Sequence, residues 1–149
     1  MTSQERMCEV MIRIYDGDAS GEGYAAQALK TVLKEVSPEK ASLRPIPGAH
    51  TIWEIMVHLV GYREAVRKRL EGRRRSHERN DYWNPVANLT PAAWKRLMKR
   101  LDVSQRGLLE GIRRLDDPGY ARVEGSLRFL IHHDLYHAGQ IGVLRRAVL

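Results

Sequence analysis

The chain has 149 residues, of which 43% are hydrophobic and 29% are charged. This composition predicts one folded domain over 1–149, and the single cysteine, Cys8, excludes an internal disulfide scaffold. No stretch approaches the ~18 apolar residues of a membrane span and the N-terminus lacks an apolar signal segment, so we expect a cytoplasmic protein without a membrane partner.

Helical periodicity dominates the N-terminal half of the chain. We predict a first helix over 2–15, beginning with a capping box, and a second helix over 24–36 after a glycine-rich connection. A short additional turn of helix is predicted over 37–40, where serine precedes proline. Helix is excluded over 44–48, because each of two prolines there favours extended geometry in the preceding residue.

Three longer helices are predicted in the rest of the chain. They cover 51–72, 90–115 and 125–147, and the first of them begins with a second capping box. No run of strict alternation is long enough to indicate a strand. The elements together predict an all-α fold, namely an up-down four-helix bundle with an extra short helix in its N-terminal part.

Two histidines lie in the apolar stripe of the last predicted helix. At about 100° per residue, His133 and His137 fall in one sector of the helical wheel with several aliphatic side chains. Two imidazoles four residues apart on one helix can reach a common metal ion. Burial of two neighbouring imidazoles without a shared partner would cost desolvation twice, so the pair favours a metal site over ordinary core histidines.

A third ligand has to come from another part of the fold, since only 12 residues follow His137. His58 lies at the edge of the apolar stripe of the third helix, and its position alone leaves its direction open. Three neutral imidazoles and an open fourth position are typical of catalytic zinc sites. Glu54 and Gln140 are candidates for orienting these imidazoles, with helix capping as the alternative for Glu54 and packing or solvent exposure for Gln140. The other histidines, His50, His77 and His132, are predicted to be exposed.

A basic stretch over 63–79 joins the third helix to the following loop. Its cations are Arg63, Arg67, Lys68, Arg69, Arg73, Arg74, Arg75 and Arg79. One interpretation is a phosphate-binding surface for nucleic acid, which the net charge of +7 permits. We favour a solvated helix face, because no helix-turn-helix or aromatic pattern accompanies the charges, and attraction of an anionic small substrate toward the metal site is a third alternative. Tyr82 and Trp83 in the same loop are predicted to pack within the loop, with a position over the metal site or in a dimer contact as the alternatives.

The segment 130–141, with the sequence LIHHDLYHAGQI, resembles the C-terminal motif of the DinB/YfiT-like superfamily, a metal-binding helical family distinct from the DNA polymerase of the same name. The segment 46–55, followed by His58, is similar to an upstream segment of that family, and the resemblance covers most of the chain. It implies a four-helix bundle, often dimeric, with one divalent metal ion on His58, His133 and His137.

The resemblance also implies a class of activity. Members with known activity are metal-dependent hydrolases or thiol S-transferases, so we expect a small-molecule substrate, a divalent ion and possible use of a low-molecular-weight thiol. Zinc is the expected ion, with nickel, iron, cobalt and manganese as alternatives because imidazole suits all of them. The competing hypothesis is a non-catalytic metal-binding or nucleic-acid-binding stress protein that uses the 63–79 stretch.

Overall fold

The computed structural model describes residues 1–73, 83 and 85–149. The sequence predictions for Arg74, Arg75, His77, Arg79 and Tyr82 concern positions outside the described residues. The predicted all-α fold is confirmed, since these ranges hold six helices and no strand. The helices are α1 (Ser3–Asp16), α2 (Leu29–Leu33), α3 (Pro38–Ser42), α4 (Ile52–Leu70), α5 (Pro91–Arg113) and α6 (Asp117–Val148).

The four long helices form a ring in which each contacts two others. Helix α4 packs between α5 and α6, and α1 packs between the same two helices on the opposite side. The short helices α2 and α3 pack against this bundle, α2 on α1 and α6 and α3 on α4. Both predicted capping boxes are present, at Thr2 with Glu5 and at Thr51 with Glu54. No helix in the described ranges has both the length and the apolar character needed to cross a membrane.

The predicted second helix over 24–36 is wrong over most of its length, because only Leu29–Leu33 is helical. The preceding chain is held in a turn, in which the Asp18 carboxylate accepts hydrogen bonds from the backbone N–H groups of Ser20 and Glu22. Gly21 adopts a φ of 81° in this turn. Local side-chain-to-backbone bonds of this kind compete with helix formation, so the apolar stripe alone overestimated the helix.

The last helix begins earlier than predicted. We expected a helix over 125–147, with the segment around Pro118 ending the previous helix, but α6 begins at Asp117. The Asp116 carboxylate accepts a hydrogen bond from the Gly119 N–H at 2.7 Å and caps α6. Proline in the first turn needs no backbone donor, so the sequence that ends α5 also begins α6.

A polar layer divides the bundle core into two apolar clusters. One cluster surrounds the indoles of Trp53 and Trp94, which contact each other at a tilt of 59°, and the other contains Leu108, Leu127 and Leu130. The layer between them is formed by four buried side chains, namely Arg63, Ser104, Gln105 and Asp134. Each of the helices α4, α5 and α6 contributes residues to one apolar cluster before the polar layer and to the other cluster after it.

Candidate metal centre

The three histidines predicted as ligands lie together between α4 and α6. The candidate ligand nitrogens of His58, His133 and His137 all lie within 4.8 Å of one another. The Nε2 atoms of His58 and His133 are 2.9 Å apart. His58 is 6% exposed and His137 is 4% exposed. Helix packing therefore turns His58, whose direction the helical wheel left open, toward α6.

The donor set fits a divalent ion. Two imidazole nitrogens that each lie about 2.0–2.1 Å from one ion are separated by roughly 3 Å, which is close to the His58–His133 distance of 2.9 Å. Imidazole suits zinc and several other divalent transition metals. A single ion would satisfy the nitrogens of all three rings at once, whereas direct contact between neutral rings pairs only two of them.

Gln140 holds the ring of His137 in one tautomer. The Nδ1–H of His137 donates to the Gln140 side-chain oxygen at 2.7 Å, and the Gln140 amide nitrogen donates to the Tyr136 hydroxyl at 3.1 Å. The Nε2 atom of His137 is then the nitrogen available for a metal. Burial, together with the neighbouring His133, lowers the pKa of His137, which favours the neutral form that binds metal ions.

We expect Gln140→Leu to lower the affinity for Zn²⁺ about 10–100-fold while leaving the fold intact. The substitution removes the acceptor that fixes the His137 tautomer, and loss of such an outer partner typically has an effect of this size. Competition with a chromophoric chelator measures the affinity. Gln140→Glu is the matched control, because it retains an oxygen acceptor, and equal affinities for wild-type protein and Gln140→Leu would contradict the assignment.

Glu54 caps the start of α4, which is the alternative given above to a role in orienting the imidazoles. Its carboxylate accepts a hydrogen bond from the Thr51 N–H at 2.8 Å and forms an ion pair with Arg44 at 2.7 Å. Burial acts to raise the pKa of Glu54, but the bonds from Thr51, Arg44 and His50 outweigh it and lower the pKa. Glu54 therefore fixes the start of α4, the helix that carries His58.

Arg63 is buried and does not belong to the basic surface predicted from the sequence. Arg63 is 1% exposed and donates hydrogen bonds to Asp134, Ser104 and Gln105 within the polar layer. Asp134 follows His133 directly, and its Oδ1 atom lies 3.8 Å from the His133 Nδ1 atom. The sequence contains a pattern that indicates this burial, because Arg63 and Asp134 each lie on the apolar stripe of their helix. Opposite charges on two buried stripes predict an internal ion pair.

Three other described cations of the basic stretch also contact neighbouring groups. Arg67 and Arg73 both form ion pairs with Glu71, and Arg69 donates to the Ser126 hydroxyl at 2.9 Å. These contacts favour a solvated helix face, and not a nucleic-acid-binding surface, as the interpretation of the described part of this stretch.

Two of the other histidines lie within the described residues. His132 is exposed, as predicted. His50 is half-exposed, but its ring stacks on Trp83 at a centroid distance of 3.7 Å. Trp83 in turn stacks on His58 at 3.9 Å, with only 13° between the ring planes. Of the three alternatives for Trp83, a position over the candidate site is the one that the contacts favour.

Comparison with known families adds an independent finding. The sequence model described as DinB superfamily matches residues 24–141, which include all three histidines. Comparisons with curated proteins and with solved structures gave no match.

Proposed function

Because this chain belongs to the DinB superfamily, we propose that it is a metal-dependent enzyme whose divalent ion is held by His58, His133 and His137. The observation that carries the proposal is the convergence of three imidazoles from two helices within 4.8 Å. We propose zinc as the ion, with nickel, iron, cobalt or manganese as alternatives. The reaction would be hydrolysis or thiol transfer on a small electrophilic substrate.

The chemistry that the ion would supply when bound is activation of water or a thiol at neutral pH, because neutral ligands leave its double charge intact. The protein contributes orientation and electrostatics. Gln140 fixes the His137 ring. The carboxylate of Asp134 is already paired with the guanidinium of Arg63, so this buried acid does little to neutralise positive charge at the histidines.

The proposal is tested by assaying metal-loaded protein with two substrate sets. One set combines low-molecular-weight thiols with haloalkane or epoxide electrophiles, and the other contains activated esters and amides. We expect metal-dependent turnover in one set and a loss of about 100-fold or more in His137→Ala, because that substitution removes a proposed ligand.

His132→Ala is the matched control for this assay. It removes an exposed histidine from the same helix and should leave turnover unchanged. Equal rates in His137→Ala and His132→Ala, or the absence of metal-dependent turnover with both substrate sets, would contradict the proposed function.

A further inference from the structure

Aromatic side chains surround the three histidines on their exposed side. We call this group the aromatic rim, and its members are Tyr62, Trp83, Phe129 and Tyr136. Tyr62 and Phe129 both contact the ring of His133, at centroid distances of 4.3 and 5.7 Å. Tyr136 meets the edge of His137 at 5.0 Å. Each imidazole of the candidate metal site therefore touches at least one ring of the rim, since Trp83 stacks on His58.

The rim is unusual because most of its rings are open to solvent. Phe129 is 50% exposed, Tyr136 is 64% exposed and Trp83 is 41% exposed. Among the described aromatic residues, the one other large exposed ring is that of Tyr24, which packs near Arg13. Phe129 is also the only phenylalanine of the chain. Exposed aromatic groups gain little stability from burial, so their concentration at one site indicates ligand binding.

The rim and the histidines together define the chemistry of a ligand. Aromatic rings bind flat apolar or aromatic groups through offset-stacked and edge contacts. The proposed ion on three neutral imidazoles would keep its positive charge and attract an anionic head group such as a thiolate or carboxylate. The two preferences are satisfied by one molecule that carries an anionic head on a short arm from an aromatic ring.

We propose that the aromatic rim binds an aromatic group of the substrate and so determines specificity next to the metal centre. This inference rests on the proposed function, because it takes the three histidines as the metal site. It goes further by assigning the substrate class, aromatic compounds with an anionic or ionisable head, and by assigning Phe129 and Tyr136 as specificity residues.

The experiment measures ligand binding to cobalt-loaded protein and requires no turnover. Phenylmethanethiol and cyclohexylmethanethiol are titrated separately, and the thiolate-to-cobalt charge-transfer absorption reports binding. The two probes share a head group and similar bulk, so their affinity ratio isolates the aromatic preference. We expect phenylmethanethiol to bind about 3–10-fold more tightly, which is the size that aromatic pairs typically contribute.

Substitutions locate this preference. Phe129→Leu retains apolar bulk but removes the ring, and we expect the affinity ratio to fall toward one. Tyr24→Leu is the matched control, because it removes an exposed aromatic ring that packs near Arg13 and is not a member of the rim, and the ratio should not change. A ratio of one in wild-type protein, or an unchanged ratio in Phe129→Leu, overturns the inference while cobalt still binds. Failure of the protein to bind cobalt and each of zinc, nickel, iron and manganese overturns the proposed function and the inference with it.

Discussion

We expect replacement of His133 by alanine to lower the affinity for Zn²⁺ by at least about 100-fold. Loss of a residue that only orients a metal ligand typically lowers metal affinity by about 10–100-fold. His133 is itself a proposed ligand, and its Nε2 atom lies 2.9 Å from that of His58, so its loss should have a larger effect. Competition with a chelator measures the affinity. The same titration with Co²⁺ or Ni²⁺ tests the alternative ions.

Thermal unfolding supplies a second readout for the same variant. An ion at 100 times its dissociation constant stabilises a native protein by about 2.7 kcal/mol. Wild-type protein should therefore show a rise in Tm with added Zn²⁺ that His133→Ala lacks. His132→Ala, one residue away and exposed, should behave like wild type. An equal rise in Tm for wild type and His133→Ala is the result that would count against a metal site at His133.

The second large effect concerns the buried ion pair between Arg63 and Asp134. Asp134→Asn leaves the guanidinium of Arg63 buried without its counter-charge, and such single replacements typically destabilise a protein by about 3–5 kcal/mol. Ser104 and Gln105 still accept hydrogen bonds from Arg63, but neither carries a charge. Urea denaturation should show the loss as a lower midpoint at an unchanged slope.

Two controls separate the buried charge from general damage. The double variant Arg63→Met with Asp134→Leu removes both charges and should recover most of the lost stability, because paired apolar replacements of buried ion pairs are often neutral. Arg100→Met breaks the exposed pair with Glu64 and should cost no more than about 1 kcal/mol. A double variant as unstable as Asp134→Asn would contradict the argument.

The Arg63–Asp134 ion pair also fixes how α6 packs on α4. Asp134 lies between the apolar clusters and directly follows His133, so the bond to Arg63 fixes α6 relative to α4 next to the candidate metal site. His58 lies on α4, and its distance to His133 depends on that register. The same ion pair therefore fixes the relative position of the two helices that carry the proposed metal ligands.

Sequence periodicity correctly predicted features that depend on a single helix. The four-residue spacing of His133 and His137 placed both on the apolar stripe of α6, and both lie in the histidine cluster. The capping box at Thr51 likewise located the start of α4 within one residue. Local hydrogen bonds and side-chain spacing determine both features.

Features that depend on contacts between elements were not predictable in this way. The direction of His58 is set by the packing of α4 on α6, and its proposal as a ligand came from the family resemblance rather than from helical periodicity. Arg63 was counted with its basic neighbours along the chain, although its helical face is buried. The aromatic rim joins Tyr62 on α4 to Phe129 on α6, and no pattern within one segment shows that contact.

The most direct measurement of the central claim is the metal content of tag-free protein after stripping with a chelator, incubation with Zn²⁺ and gel filtration. Elemental analysis should give one zinc ion per chain for wild type and close to none for the triple variant His58→Ala, His133→Ala, His137→Ala. Circular dichroism of the triple variant checks that the bundle remains helical. A wild-type protein without bound zinc, nickel, iron, cobalt or manganese, or a folded triple variant that retains one ion per chain, would contradict the three-histidine site.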